Sequence, residues 1–527
     1  MGILVLIATL LILTSPALAS PSAEVTWRYE RAEDAQIDQG ARSVAIPPAR
    51  GAERASTDRG MEKTILLAEV AKGTLGSLER YESACLRRRP PILLPERPEP
   101  RELPTQPSCE AARIALGETL QKEIGRWSAR VSGSELIRAD AEVTEALDVL
   151  RKLAENMKKA EDPAGGFEED AFLMRNFSSG PLAVGPGAMA SGGLNVTGGG
   201  AQDFGYFRLL VESGQVPRAD VLTVEGFLRE FDLPLLDVGS CAELICVNPA
   251  VSVDAAAGRL YVQIGMSSSV TPEAFERRPL NLSVVLDVSG SMSATDGTEK
   301  SRLEWAKDAL IQTIGELDAD DMLSIVVFDT TSEILLRPER VQDKESIINK
   351  VRSLQTRDST NLEAGLRDGY QLVGEFADRL RGYEHRVILI SDAGLNTGVT
   401  DPASLLRLVT NHASEGIGLT ALGLGENFNQ DFIHGITNSR GGNYLFVHSG
   451  EDMLRYFDAF EYLVTPVAYD FRVQLALNGI QAKLVAAHGV PTEAGTQPVR
   501  DIIDLETLFF SEEGGAILLE YELPARR

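Results

Sequence analysis

Between Asn281 and Gly297 the chain reads NLSVVLDVSGSMSATDG. An apolar run, Leu282 to Leu286, stops at the carboxylate of Asp287. Hydroxyls follow at alternate positions, Ser289 and Ser291, with Gly290 between them. Two more oxygens stand in comparable settings. The segment RVILISDAG ends an apolar run at Asp392, and TRDSTNLEAGL enters a helical pattern through Thr360. All five donors are hard oxygens, with no Cys or His among them. That set suits Mg2+, which takes six oxygens in a tight octahedron and usually keeps waters; Mn2+ and Ca2+ are the other ions it admits. Two carboxylates balance the ion's charge. Neutral hydroxyls touch it without neutralising it further, so the ion stays electrophilic and accepts a carboxylate from outside the chain. Two plainer roles compete. Asp287, Ser289 and Ser291 also fit simple turns, and Thr360 with Glu363 fits a capping box at a helix start.

These residues need a scaffold that brings strand ends together. From residue 280 onward apolar strands alternate with amphipathic helices. Leu282–Leu286, MLSIVVFD (322–329), RVILISD (386–392), IGLTALGLG (417–425) and NYLFVH (443–448) read as strands, and EILLRP as a shorter one. Leu303, Ala306, Leu310, Ile314 and Leu317 line one helical face. Ile347, Val351 and Leu354 mark another helix, and residues 362–380 a third. Asp401-Pro402 opens a fourth, with Asp as cap and Pro in the first turn, and residues 450–463 form a last one. This alternation predicts an α/β fold: a doubly wound, mostly parallel central sheet covered on both faces. In such a sheet ligands bind at the carboxyl ends of the strands, near the switch in strand order. Asp287 and Asp392 both lie there.

The motifs DVSGS, STN and SDAG, in that order, resemble the metal-ion-dependent adhesion site of the von Willebrand factor A family. The family pattern, D-x-S-x-S with a distant Thr and a distant Asp, is matched by Asp287, Ser289, Ser291, Thr360 and Asp392. The likeness covers about residues 280–465. The flanks, including GQVPRADVLTVEGFLREFDLP, resemble a bacterial exported subgroup that carries an N-terminal extension. The resemblance implies a Rossmann-like central sheet with one short antiparallel edge strand, supplied by EILLRP. It implies helices that shift around the site when a partner's acid replaces a metal-bound water.

The remaining chain divides by composition. Residues 1–19 read as an export signal: an apolar run from Ile3 to Leu13, a break at Pro16, and the cleavage-type Ala17-Leu18-Ala19, although no basic residue precedes the run. A retained anchor is the alternative. Residues 20–60 read as a flexible leader. Residues 61–162 form a helical region around a proline-rich loop (87–107), 163–200 a Gly-rich linker, 201–279 an extension preceding the α/β domain (280–465), and 466–527 a small β segment. RLYVQIGMSS (259–268) is a strand. Four cysteines in an exported chain predict disulfides 85–109 and 241–246, one of three possible pairings, with four free thiols as the alternative.

Composition narrows the function. With 51 basic and 77 acidic residues the net charge is −26, which argues against nucleic acid and anionic membrane surfaces as partners. No stretch after the signal is long and apolar enough to span a bilayer. There is no HExxH, P-loop or GxSxG motif, and the five histidines are scattered. The expectation is a non-enzymatic module, in the periplasm or on the surface of a bacterium, whose metal binds a protein ligand presenting an acidic side chain. A metal-assisted hydrolase and a structural envelope protein with a stabilising metal are the alternatives.

Overall fold

Strands buried on both faces lie at the centre of a six-stranded sheet in the computed structural model of the chain. The structure describes residues 22–31, 37–45, 52–85, 107–138, 140–159, 195–198, 204–231, 233, 241–254, 256–295, 300–357, 359–392, 402–424, 439–447, 460–478, 482–489, 503–511 and 516–524. In chain order the elements begin with β1 (Ser22–Arg31), β2 (Ile37–Ala45), α1 (Ala52–Cys85), α2 (Pro107–Gly133), α3 (Ala141–Lys159) and β3 (Asn195–Gly198). Next come α4 (Phe204–Glu212), α5 (Val224–Arg229), β4 (Cys246–Asp254) and β5 (Arg259–Ser267). The α/β unit holds β6 (Leu280–Asp287), α6 (Arg302–Glu316), β7 (Met322–Phe328), β8 (Ser332–Arg340), α7 (Lys344–Arg352), α8 (Leu362–Ala377), β9 (Glu384–Ser391), α9 (Pro402–Ser414), β10 (Ile417–Leu424), β11 (Gly442–Val447) and α10 (Phe460–Val464). The chain then adds β12 (Pro466–Asn478), β13 (Lys483–His488), β14 (Ile503–Ser511) and β15 (Ala516–Glu522).

The six-stranded sheet has the order β11-β10-β9-β6-β7-β8. Every pair is parallel except β7 with β8, which is antiparallel at the edge. The doubly wound fold and its antiparallel edge strand are therefore as expected. Every residue of β6, β7 and β10 is buried, so these strands carry apolar side chains on both faces. Strand order reverses between β6 and β9, and these two strands deliver Asp287 and Asp392. Helix α8 lies close across them. A Cβ at Gly369 would stand 2.4 Å from Val285 Cγ2, and one at Gly365 2.7 Å from Phe328. Only glycine allows this approach, which brings the start of α8, and Thr360 before it, over the strand ends.

The second sheet corrects the expected domain boundaries. Among the described residues it has nine strands, with the path β13-β15-β5-β3-β14-β12-β1-β2 and β4 paired to β5. Residues 20–60 are not a flexible leader in their described part: β1 pairs antiparallel with both β12 and β2, and α1 begins at Ala52. The reason is legible afterwards. Val25, Trp27 and Tyr29 are buried while polar residues alternate with them, a period-two pattern hidden by a polar average. The β segment at 466–527 is accordingly part of a sheet built from four separated stretches, including β3 from within the expected linker and β4 and β5 from the extension. The signal at 1–19, the cap at Asp401, most of the linker and all but the last residue of the proline-rich loop lie outside the described residues, as does the expected last helix before Phe460.

The helical region is not isolated either. One apolar core runs continuously from α1, α2 and α3 through α4 and α5 to the face of the six-stranded sheet beneath α8 and α9. Tyr206 on α4 packs against Phe446 on β11, with ring centroids 5.0 Å apart. Disulfides join Cys85 to Cys109 and Cys241 to Cys246, the expected pairing. No helix among the described residues is long and apolar enough to cross a membrane. The disulfides fit an exported protein.

The two sheets meet at the amino ends of the parallel strands. Arg440, before β11, pairs with Glu30 on β1 at 2.8 Å and with Asp470 on β12 at 2.6 Å. The Gly441 N–H donates to Thr507 Oγ1 on β14 at 2.7 Å. The carboxyl ends, where the candidate site sits, lie at the opposite edge of the six-stranded sheet.

Candidate metal centre

Asp287 is the last residue of β6 and is fully buried. One of its oxygens, Oδ1, accepts the Ser289 backbone N–H at 2.8 Å, which folds the DVSGS turn back on its own carboxylate. The other, Oδ2, accepts the Ser391 hydroxyl at 2.6 Å. Ser289 Oγ lies 3.0 Å from Ser291 Oγ, so the two hydroxyls converge. Ser289 is buried and Ser291 exposed, which sets Ser291 at the mouth of the site. Asp392 follows β9 directly and is buried.

Thr360 is buried in the loop before α8. The cap of that helix is Asn361, whose side chain accepts the Ala364 N–H, so the alternative role of Thr360 as the helix cap does not hold. The loop is stitched to the neighbouring strand ends by backbone hydrogen bonds: Arg357 N–H to Val288 O and Asn361 N–H to Asp329 O, both 2.6 Å. Val288 and Asp329 each follow the paired strand ends Asp287 and Phe328. Sequence-distant residues are thus gathered at one edge.

Two buried acids concentrate negative charge at this edge. Burial, then the charge of Asp392, push the Asp287 carboxyl up to about 6 from its ordinary 3.8, against the hydrogen bonds from Ser391 and Ser289 that favour its charged form. Asp392 Oδ1 is buried and has no hydrogen-bond partner among the described residues. A buried carboxylate oxygen without a partner is costly. Two buried acids, one with such an oxygen, and converging neutral hydroxyls are a donor set that a hard divalent ion would satisfy. No group of three or more His, Cys, Asp or Glu able to hold a metal occurs among the described residues; this site differs in drawing on hydroxyls.

Residues 282–395 match the von Willebrand factor type A domain family. The chain contains a von Willebrand factor type A domain. Among curated relatives, an uncharacterized protein of Synechocystis sp. is 30% identical over 210 residues, covering 39% of this chain and 47% of that one. Inter-alpha-trypsin inhibitor heavy chain H3 of Pongo abelii is 25% identical over 219 residues, covering 40% and 24%. The chain thus spans less than half the length of these relatives. Among solved structures, a von Willebrand factor type A protein from Catenulispora acidiphila gives a TM-score of 0.36 at 15% identity, covering 53% of this chain and 65% of that one. Proximal thread matrix protein 1 from the mussel byssus, with a zinc-occupied MIDAS motif, gives 0.31 at 16% identity, covering 36% and 49%.

Two residues at this candidate site in the von Willebrand factor type A domain are not among the donors that the sequence predicts. Ser391 bonds Asp287 because Leu286 pairs with Ile390 across β6 and β9, which sets Asp287 beside Ser391. That signal was present in the strand alignment. Arg302, the first residue of α6, donates from a guanidinium N–H to Asp392 Oδ2 at 2.9 Å. No local pattern announces that contact, which spans 90 positions in the chain.

Proposed function

We propose that the chain is a non-enzymatic, metal-dependent protein-binding module. Asp287, Ser289, Ser291, Thr360 and Asp392 would hold Mg2+, with Mn2+ as a substitute. The bound ion would supply a positive, electrophilic position open to a carboxylate of a partner protein. The observation that carries this reading is the pair of buried acids, one of them with an oxygen lacking any hydrogen-bond partner among the described residues. The protein's own residues do the rest: Ser391 and the Ser289 N–H orient Asp287, and the exposed Ser291 marks the side from which a partner approaches.

The setting agrees with this use. The second sheet covers the amino ends of the strands, so it does not block the carboxyl ends. The net charge of −26 repels an acidic partner at long range, while at contact the ion's charge reverses the local preference. A small octahedral site would favour Mg2+ over the larger Ca2+, which wants more ligands. We place the protein in the periplasm or at the surface of a bacterium. Partner capture from envelope extracts tests the reading: capture in Mg2+, none in EDTA, and none by Ser289→Ala with Ser291→Ala. A partner held equally well in EDTA would show that recognition lies outside this site.

A further inference from the structure

We propose that Arg302 is a built-in counter-cation of the metal centre: it holds the Asp392 carboxylate in place when no ion is bound and, by its charge, weakens the affinity for the ion. The inference rests on the metal reading given above.

Four observations point to it. First, the Arg302 guanidinium donates to Asp392 Oδ2 at 2.9 Å, and both side chains are mostly buried, 13% and 3% exposed. This is not a surface ion pair whose worth vanishes into solvent. Second, the bond occupies only one oxygen. Asp392 Oδ1 keeps no hydrogen-bond partner among the described residues, so the acid is held from behind while its other oxygen stays available. Third, the backbone of Arg302 is itself anchored. Its N–H donates to Ala294 O at 2.8 Å, three residues past Ser291. Its helix starts with a complete capping box, in which Ser301 Oγ accepts the Glu304 N–H and Glu304 accepts the Ser301 N–H. The residue therefore ties the DVSGS loop to the end of β9, the two segments that must close on an ion. Fourth, the carboxyl groups of Asp287 and Asp392 are both buried at the ends of adjacent strands, and among the described residues Arg302 is the cation seen bonded to either.

The consequence has a sign. A fixed positive charge one carboxylate away from a divalent ion disfavours that ion, and in a poorly solvated site the effect is large. Arg302 thus preorganises the geometry and reduces the affinity together. Such a site stays assembled without metal and releases its ion readily. Arg302 is a positioning residue, since it acts through Asp392.

The test is a Mn2+ titration of the full chain, followed by electron paramagnetic resonance of the free ion, for the wild type, Arg302→Gln and Arg302→Lys. Arg302→Gln is expected to bind Mn2+ at least about tenfold more tightly and to melt earlier than the wild type in EDTA. Arg302→Lys keeps the charge, and is expected to fold and to stay within about threefold of wild-type affinity. Arg302→Gln binding as the wild type does, or more weakly, overturns the proposal. So does tightening in Arg302→Lys beyond threefold, because the effect would then come from geometry and not from charge; that arm decides if Arg302→Gln does not fold. Absence of Mn2+ binding by the wild type would instead sink the metal reading on which this inference stands.

Discussion

Replacing Asp287 by Asn should make the metal-free protein more stable while removing its response to metal. The side chain is fully buried, and its carboxyl is pushed up to about 6 from 3.8, first by burial and then by the charge of Asp392. The folded state therefore holds the proton more tightly than the unfolded chain. The stability linked to that proton is fully present below 3.8 and is lost as pH rises through about 6. At about 1.4 kcal/mol per pH unit, the gap from 3.8 to about 6 is worth on the order of 3 kcal/mol above pH 7. Asn is nearly isosteric and carries no charge to desolvate. Its carbonyl can still accept the Ser289 N–H, so most of that cost should be recovered. For a domain of this size, about 1 kcal/mol moves Tm by roughly 2–4 °C, so the melting transition of the α/β domain should rise by several degrees in EDTA at pH 7.5. In Mg2+ the wild type should gain stability and Asp287→Asn should not. Differential scanning fluorimetry of both proteins, with and without metal, between pH 5 and 8 reads all of this; the EDTA difference should shrink as pH falls below about 6. A variant less stable than the wild type in EDTA at pH 7.5, or one that responds equally to Mg2+, would refute the reasoning.

Asp321, fully buried, pairs with Arg277 at 2.6 Å and accepts the Leu280 N–H at 2.7 Å at the start of β6. Asp321→Ala leaves the buried Arg277 guanidinium only its longer pairs, with Asp318 at 3.4 Å and Glu461 at 3.5 Å, and should cost up to about 3–5 kcal/mol, measurable by urea denaturation. Gly369→Ala puts a methyl 2.4 Å from Val285 Cγ2; it should cost about 1–3 kcal/mol by overpacking and weaken Mn2+ binding by lifting the helix that follows Thr360, while Gly374→Ala, with open space around its Cβ, should do neither. Mass spectrometry of protein from its native host, alkylated without reduction, should find no modified cysteine and should link 85 to 109 and 241 to 246.

Much of the α/β domain was legible because its strands are apolar on both faces and its helices carry one apolar stripe, so period and length separate them. The site was legible for a related reason. A carboxylate ending a buried strand contradicts the local pattern; Asp287 and Asp392 both stand at such breaks, and alternate hydroxyls follow Asp287. The helix-start reading of Thr360 failed by one residue: Asn361 caps α8 just as well, and sequence alone does not choose between adjacent capping residues. The second sheet was largely illegible. Its strands come from both ends of the chain, with Ser22 opposite Asn478, and no local pattern encodes a pairing across that separation. Arg302 was hidden for the same reason. A basic residue in the first turn of a helix reads as solvated until tertiary structure sets Asp392 beside it.

The most direct test of the central claim is the binding stoichiometry of Mn2+ for the full chain, measured by electron paramagnetic resonance in the wild type and in Asp287→Ala. Removing one of two balancing carboxylates should cost most of the affinity. The account predicts one bound ion per chain in the wild type, displaced by Mg2+, and none in the variant. No bound ion in the wild type, or equal binding by Asp287→Ala, would contradict it.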